Sequence, residues 1–188
     1  SNNALVEVPE EIGYLVRLEQ LLLSGNPQLT SLPRTVRDLS SLELLNLDFC
    51  AISSLPSEIT YVSRLIDLSL AKNRLVALPP DLGRLTRLCR LNLAGNAITD
   101  LPLSTGRCVS LGELGAGIVL DGCPIQNHEM VAAARVGPDH LLRFLEAREA
   151  AVHGMSLPPL PELAPHNLLT RRGTGPKQAY QPVTINMA

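Results

Sequence analysis

Four histidines, four cysteines and a cluster of glycines are the residues of this 188-residue chain whose types could do chemistry. A metal-binding helix presents two imidazoles one turn apart, at i and i+4, so that both reach one ion. His128, His140, His153 and His166 include no such pair, and none lies beside two cysteines. Ordinary surface histidines are the expectation. Cys50, Cys89, Cys108 and Cys123 lack the CxxC spacing that a zinc site or a thioredoxin-like motif requires. A cysteine nucleophile also needs a neighbour that favours the thiolate, and nothing around Cys89 supplies one. Gly112, Gly115 and Gly117 stand before Ile118-Val119-Leu120 and suggest a loop that cradles phosphate. A dinucleotide site needs strand, loop and helix in that order, and that order is absent. No GxSxG elbow and no P-loop occurs. The residues therefore predict no catalytic constellation, no cofactor and no metal, and the chain is expected not to be an enzyme.

The elements that carry these residues follow from composition and spacing. Hydrophobic residues make up 45% of the chain and aromatic residues only 3%, with no Trp. Aliphatic side chains, Leu above all, must then fill the core, which suits a structure whose pockets recur. Leu18, Leu42, Leu65, Leu88 and Leu111 are equivalent starts, spaced 24 and then three times 23 residues apart. One full unit reads Leu65-x-x-Leu68-x-Leu70-x-x-Asn73-x-Leu75-x-x-Leu78-Pro79-x-x-Leu82-x-x-Leu85. The next carries Leu88, Leu91, Leu93, Asn96, Ile98, Leu101 and Pro102, with Thr105 and Cys108 in the last two places. The unit from Leu42 has Cys50 where others have Asn, and the unit from Leu18 carries one extra residue near Pro27.

Each place has a physical reason. Leu-x-Leu alternates with period two, so Leu68 and Leu70 point inward from a short strand and Ser69 outward. Asn73 stands where the chain leaves the strand, and its amide can serve backbone groups that no ladder satisfies. Proline stiffens the return arm through its fixed φ. Leu82 and Leu85, at i and i+3, need only a loose helical turn. One unit cannot bury such a face alone, so neighbours must stack on it.

This pattern resembles the leucine-rich repeat family, in its intracellular 23-residue class with Leu-Pro after the strand, as in Ras-pathway scaffold proteins and LAP proteins. The resemblance covers about residues 3–150. It implies an α/β solenoid with a parallel β-sheet on the concave face, irregular or 3-10 turns on the convex face, and a C-terminal capping helix. Residues 1–17 read as a partial leading repeat, 18–125 as four regular repeats and one irregular, 126–151 as a helical cap, and 152–188 as a Pro-rich extended tail. In the irregular repeat, Ile118-x-Leu120-x-x-Cys123-x-Ile125 lies about four residues late: either four residues are inserted, or Gly115 replaces a strand Leu. Cys123-Pro124-Ile125 precedes the cap, where Pro138 suits a first helical turn and Phe144 is expected to pack within it. Leu157-Pro158-Pro159-Leu160-Pro161 favours polyproline II. The leading half-repeat lacks its strand, which leaves an edge open; further repeats upstream, or a covering partner, are the expectation.

Formal net charge is −2, which gives no sign of nucleic-acid binding, and no apolar run approaches the roughly 18 residues that span a bilayer. Cysteines without a pairing pattern suggest reduced thiols and a cytoplasmic location. In the resembling family, partners occupy the concave sheet. The outward positions there include Leu22, Leu44, Asn46, Asp48, Phe49, Asp67, Ser69, Lys72, Arg90 and Asn92. Leu22, Leu44 and Phe49 are apolar where water is expected, and Asp48, Asp67, Lys72 and Arg90 would form a polar rim. Shielding by strand curvature or by the tail is the alternative. A scaffold that holds a protein partner is the leading reading, of unknown identity and oligomeric state. A structural subunit of a large intracellular assembly and the recognition domain of a multidomain enzyme are the others.

Overall fold

A computed structural model describes residues 3–113 and 117–154. Its strands are as short as Leu-x-Leu requires: β1 (Gln20–Leu22), β2 (Leu44–Asn46), β3 (Asp67–Ser69), β4 (Arg90–Asn92) and β5 (Gly117–Val119). They form one parallel sheet in chain order. The register aligns Leu21, Leu45, Leu68, Leu91 and Ile118 in one row. Leu45, Leu68 and Leu91 in that row are fully buried. The rows beside it, such as Leu44, Asp67 and Arg90, face away from the core.

Behind each strand the chain returns through a 3-10 turn. Pro9, Pro33, Pro56 and Pro102, with φ between −57° and −71°, stand immediately before turns Glu10–Tyr14, Arg34–Asp38, Ser57–Tyr61 and Leu103–Arg107. The unit from Leu65 has Pro79-Pro80, and its turn shortens to Leu82–Arg84. Ile12, Val36, Ile59, Leu82 and Thr105 occupy the same place in successive turns, and all are buried.

The asparagines tie unit to unit. The Asn73 amide donates to the carbonyls of Leu47 (2.7 Å), Leu70 (3.0 Å) and Ala71 (3.3 Å), and its Oδ1 accepts from the Ile52 N–H at 2.9 Å. Asn96 repeats the arrangement with Leu70, Leu93 and the Leu75 N–H. Cys50 donates its thiol to the Leu23 carbonyl at 3.3 Å but offers no amide oxygen to the preceding unit. That unit is the one with the extra residue, and there the Leu29 N–H turns back onto the Asn26 carbonyl at 3.0 Å. The insertion near Pro27 thus supplies the acceptor that Cys50 lacks.

The irregular repeat resolves as an insertion. Leu111 is fully buried within the short helix α1 (Ser110–Glu113), and the strand resumes at Gly117 with Ile118 opposite Leu91. Gly115 lies outside the described residues. The sequence pattern suggested one closing helix; the structure has two, α2 (His128–Val136) and α3 (Pro138–Val152). Gly137, at φ 150°, and Pro138 separate them, because proline cannot continue the α2 hydrogen bonds and instead suits the first turn of α3. Asn127 caps α2 by accepting from the Met130 N–H at 3.1 Å. Met130, Leu141, Leu142 and Leu145 complete the core, and Phe144 packs against it. The polyproline segment Leu157–Pro161 and the rest of the tail lie outside the described residues.

Candidate functional site on the concave sheet

The outward side chains of the sheet fall into two groups. Asn46, Asp48, Ser69 and Asn92 are occupied by one another and by the backbone. Asn92 donates to the Ser69 hydroxyl (3.2 Å), which donates to both Asp48 carboxylate oxygens (2.7 and 2.9 Å). The Ala71 N–H adds a bond of 2.6 Å to Asp48. The Asp48 and Ala94 N–H groups bond in turn to the amide oxygens of Asn46 (2.9 Å) and Asn92 (3.2 Å). These residues hold the strand ends together, and each is only partly exposed.

The second group is more available. Arg90 is exposed and pairs with Asp67 at 3.5 Å. Burial pushes the Asp67 carboxyl above its ordinary range; Arg90 pulls it back, and Asp48 adds to the rise. Lys72 is exposed, and among the described residues no ion pair holds it. Phe49 is 63% exposed. Leu22 and Leu44 are half-buried. In the ladder Leu22 stands beside Asn46, and Leu44 between Gln20 and Asp67, so these two leucines are not direct ladder partners.

Phe49 and Lys72 do not lie on strands as their spacing suggested. Both sit beyond the strand end, in the left-handed region at φ 56°. Gly25, Gly95 and Gly122 hold the same place in the other units, at φ 75°, 68° and 75°. The parallel sheet needs a left-handed residue there to turn each chain off the strand, and glycine adopts that conformation without a Cβ clash. A sequence signal existed: in three units a glycine stands immediately before the Asn or Cys of the ladder. A non-glycine residue in this conformation costs about 1 kcal/mol or more.

The cysteines and histidines form no cluster of metal ligands among the described residues. Burial pushes the Cys108 thiol up to about 12 and the Cys50 thiol in the same direction. Cys50, Cys108 and Cys123 each donate to a carbonyl of the preceding unit, which is structural work. No described helix is long and apolar enough to cross a membrane.

No protein-family model and no curated protein sequence matches the chain. Solved structures do. A leucine-rich repeat protein of Leptospira interrogans matches over 73% of this chain, with 38% sequence identity and a TM-score of 0.65. The chain is a leucine-rich repeat protein. The plant peptide hormone receptor RGFR1, solved with RGF2, is similar over 64% of the chain at 28% identity and a TM-score of 0.58. The leucine-rich repeat ectodomain of the Arabidopsis thaliana receptor kinase GASSHO1/SCHENGEN3 is similar over 56%, at 33% identity and a TM-score of 0.53. This leucine-rich repeat chain spans 34% of the Leptospira protein's length and 19% and 13% of the two receptors'.

Proposed function

We propose that this leucine-rich repeat protein is a binding module, not an enzyme, and that its concave sheet holds a protein partner. The observation that carries the reading is the pair Phe49 and Lys72. Two exposed side chains, one aromatic and one cationic, occupy adjacent left-handed positions where three other units have glycine. Strain of this kind persists where a side chain is needed for something other than stability. Partner contact is such a need, and aromatic side chains are enriched in interface cores. Leu22, Leu44, Arg90 and Asp67 extend the contact surface, while Asn46, Asp48, Ser69 and Asn92 keep it rigid. The two plant receptors support the reading by likeness, since one was solved with RGF2 and the other with CASPARIAN STRIP INTEGRITY FACTOR 2. A role as an intracellular scaffold is consistent with four free cysteines.

Replacing Phe49 and Lys72 by glycine tests this with two readouts of opposite sign. Each change relieves backbone strain, so each variant is expected to be more stable by roughly 0.5–1 kcal/mol, or about 1–4 °C in Tm. Crosslinking pull-down from native extract is expected to lose a discrete partner that the wild-type chain captures, and a Leu44→Glu variant to lose the same one. A partner set unchanged in all three variants moves the binding surface off the concave sheet.

A further inference from the structure

The last repeat leaves its core open. Leu91, Leu93 and Ile98 of the fourth unit are fully buried, and Asn96 nearly so. Their counterparts Ile118, Leu120, Cys123 and Ile125 are only partly buried, although α2 and α3 follow them. The cause is where the helices sit. Helix α3 closes over the 3-10 turn Leu103–Arg107, with Arg107 bonded to Glu149 at 2.9 Å. Between β5 and α2 a groove of about 620 Å³ remains, with Ile118, Leu120 and Ile125 on one side and Met130, Val131 and Ala134 on the other. Among the described residues β5 pairs only with β4, so its other edge carries unpaired backbone donors and acceptors. Apolar side chains beside a free strand edge are what an added strand would cover.

We infer that the groove is a docking site for the chain's own C-terminal segment Val183–Met187, added along the free edge of β5. Two observations select this occupant. Val183, Ile185 and Met187 alternate with Thr184 and Asn186, the period of two that gives a strand one apolar face. The reach is ample. Pro138, at the start of α3, lies against Gly117 of β5. The 15 residues of α3 carry the chain about 22 Å away. The 28 residues 155–182 then span up to roughly 90 Å when extended. Pro182 sets the limit of the strand, since proline donates nothing to a ladder.

Cys123 lines the same groove and provides the test in the full chain. Single substitutions Val183→Cys, Thr184→Cys and Ile185→Cys, each oxidised at low protein concentration, separate the faces of the added strand. Intramolecular disulfide to Cys123 is expected at least tenfold faster from positions 183 and 185 than from position 184, and absent in a Cys123→Ser background. Equal rates at all three positions, or only intermolecular products, overturn the proposal. As a second measurement, hydrogen exchange at residues 117–125 is expected to accelerate about tenfold in Ile185→Asp, a change outside the repeats that leaves them folded. Exchange there identical to wild type overturns it as well.

Discussion

At the scale of single residues, Thr105 shows how a repeat tolerates one misfit. Its place in the turn is filled by Ile12, Val36, Ile59 and Leu82 in the other units. The Thr105 hydroxyl is fully buried and has no hydrogen-bond partner among the described residues. A buried hydroxyl without a partner costs about 1–3 kcal/mol relative to its exposed state, and valine has nearly the same shape without that cost. Thr105→Val is therefore expected to raise stability by about 1 kcal/mol, read as a rise of roughly 2–4 °C in Tm. Thr105→Ser keeps the hydroxyl and removes a methyl, so it is expected to lower Tm. The same pairing of chemistry with place explains the histidines and cysteines. Their spacing gave no sign of a metal site, and the structure gives each of the four thiols a carbonyl to bond.

At the scale of the element, the unit is held to its neighbour by one amide more than by any other polar group. Asn73 makes bonds at both its nitrogen and its oxygen, joining the second unit to the third. Asn73→Ala removes all of them and leaves the Ile52 N–H and the Leu47 carbonyl buried without that partner. The expected loss is about 3 kcal/mol or more, measured by urea unfolding. Cys50→Ala removes the thiol bond to Leu23, and about 1 kcal/mol is expected. If the two variants lose equally, the amide is not the tie between units. The repeat itself was legible because each pocket recurs: Leu, Asn and Leu-Pro return at a fixed period, and each has its own physical reason. The two-helix cap was less so, since Gly137-Pro138 lies within a run of uniformly helical composition. The outward rows of the sheet were legible as positions, but not as roles. Asp48 faces outward, yet its carboxylate is occupied by Ser69 and Ala71, residues 21 and 23 places away that only strand register brings near. The left-handed turn at Phe49 and Lys72 was hidden for a different reason. Glycine marks it in three units, and the two units that carry Phe49 and Lys72 in its place break the pattern that would have shown the turn.

At the scale of the whole molecule, stability is a sum over neighbouring units, and damage should stay near where it is done. Gly106 provides the test. A Cβ there would stand 2.6 Å from the Glu146 nitrogen and 2.9 Å from the Leu142 carbonyl oxygen, both backbone atoms of α3. Backbone cannot give way as a flexible side chain does, so Gly106→Ala must lift α3 from the turn and break the Arg107–Glu149 bond. Overpacking of this kind costs about 1–3 kcal/mol. Leu141, Leu142 and Leu145 lose cover first, and the fifth and fourth units follow, because α3 on the last turn closes that end of the core. Hydrogen exchange is expected to accelerate in α3, β5 and β4, while β1 and β2 keep wild-type protection. Arg107→Ala breaks the same ion pair without moving backbone, and its exposed arginine predicts a loss of less than about 1 kcal/mol. Uniform acceleration across β1 to β5 in Gly106→Ala would mean that the repeats unfold as one cooperative unit. Graded acceleration from the C-terminal end would mean that the cap sets where unfolding begins, and that the concave face around Phe49 and Lys72 stays formed while the end of the solenoid opens.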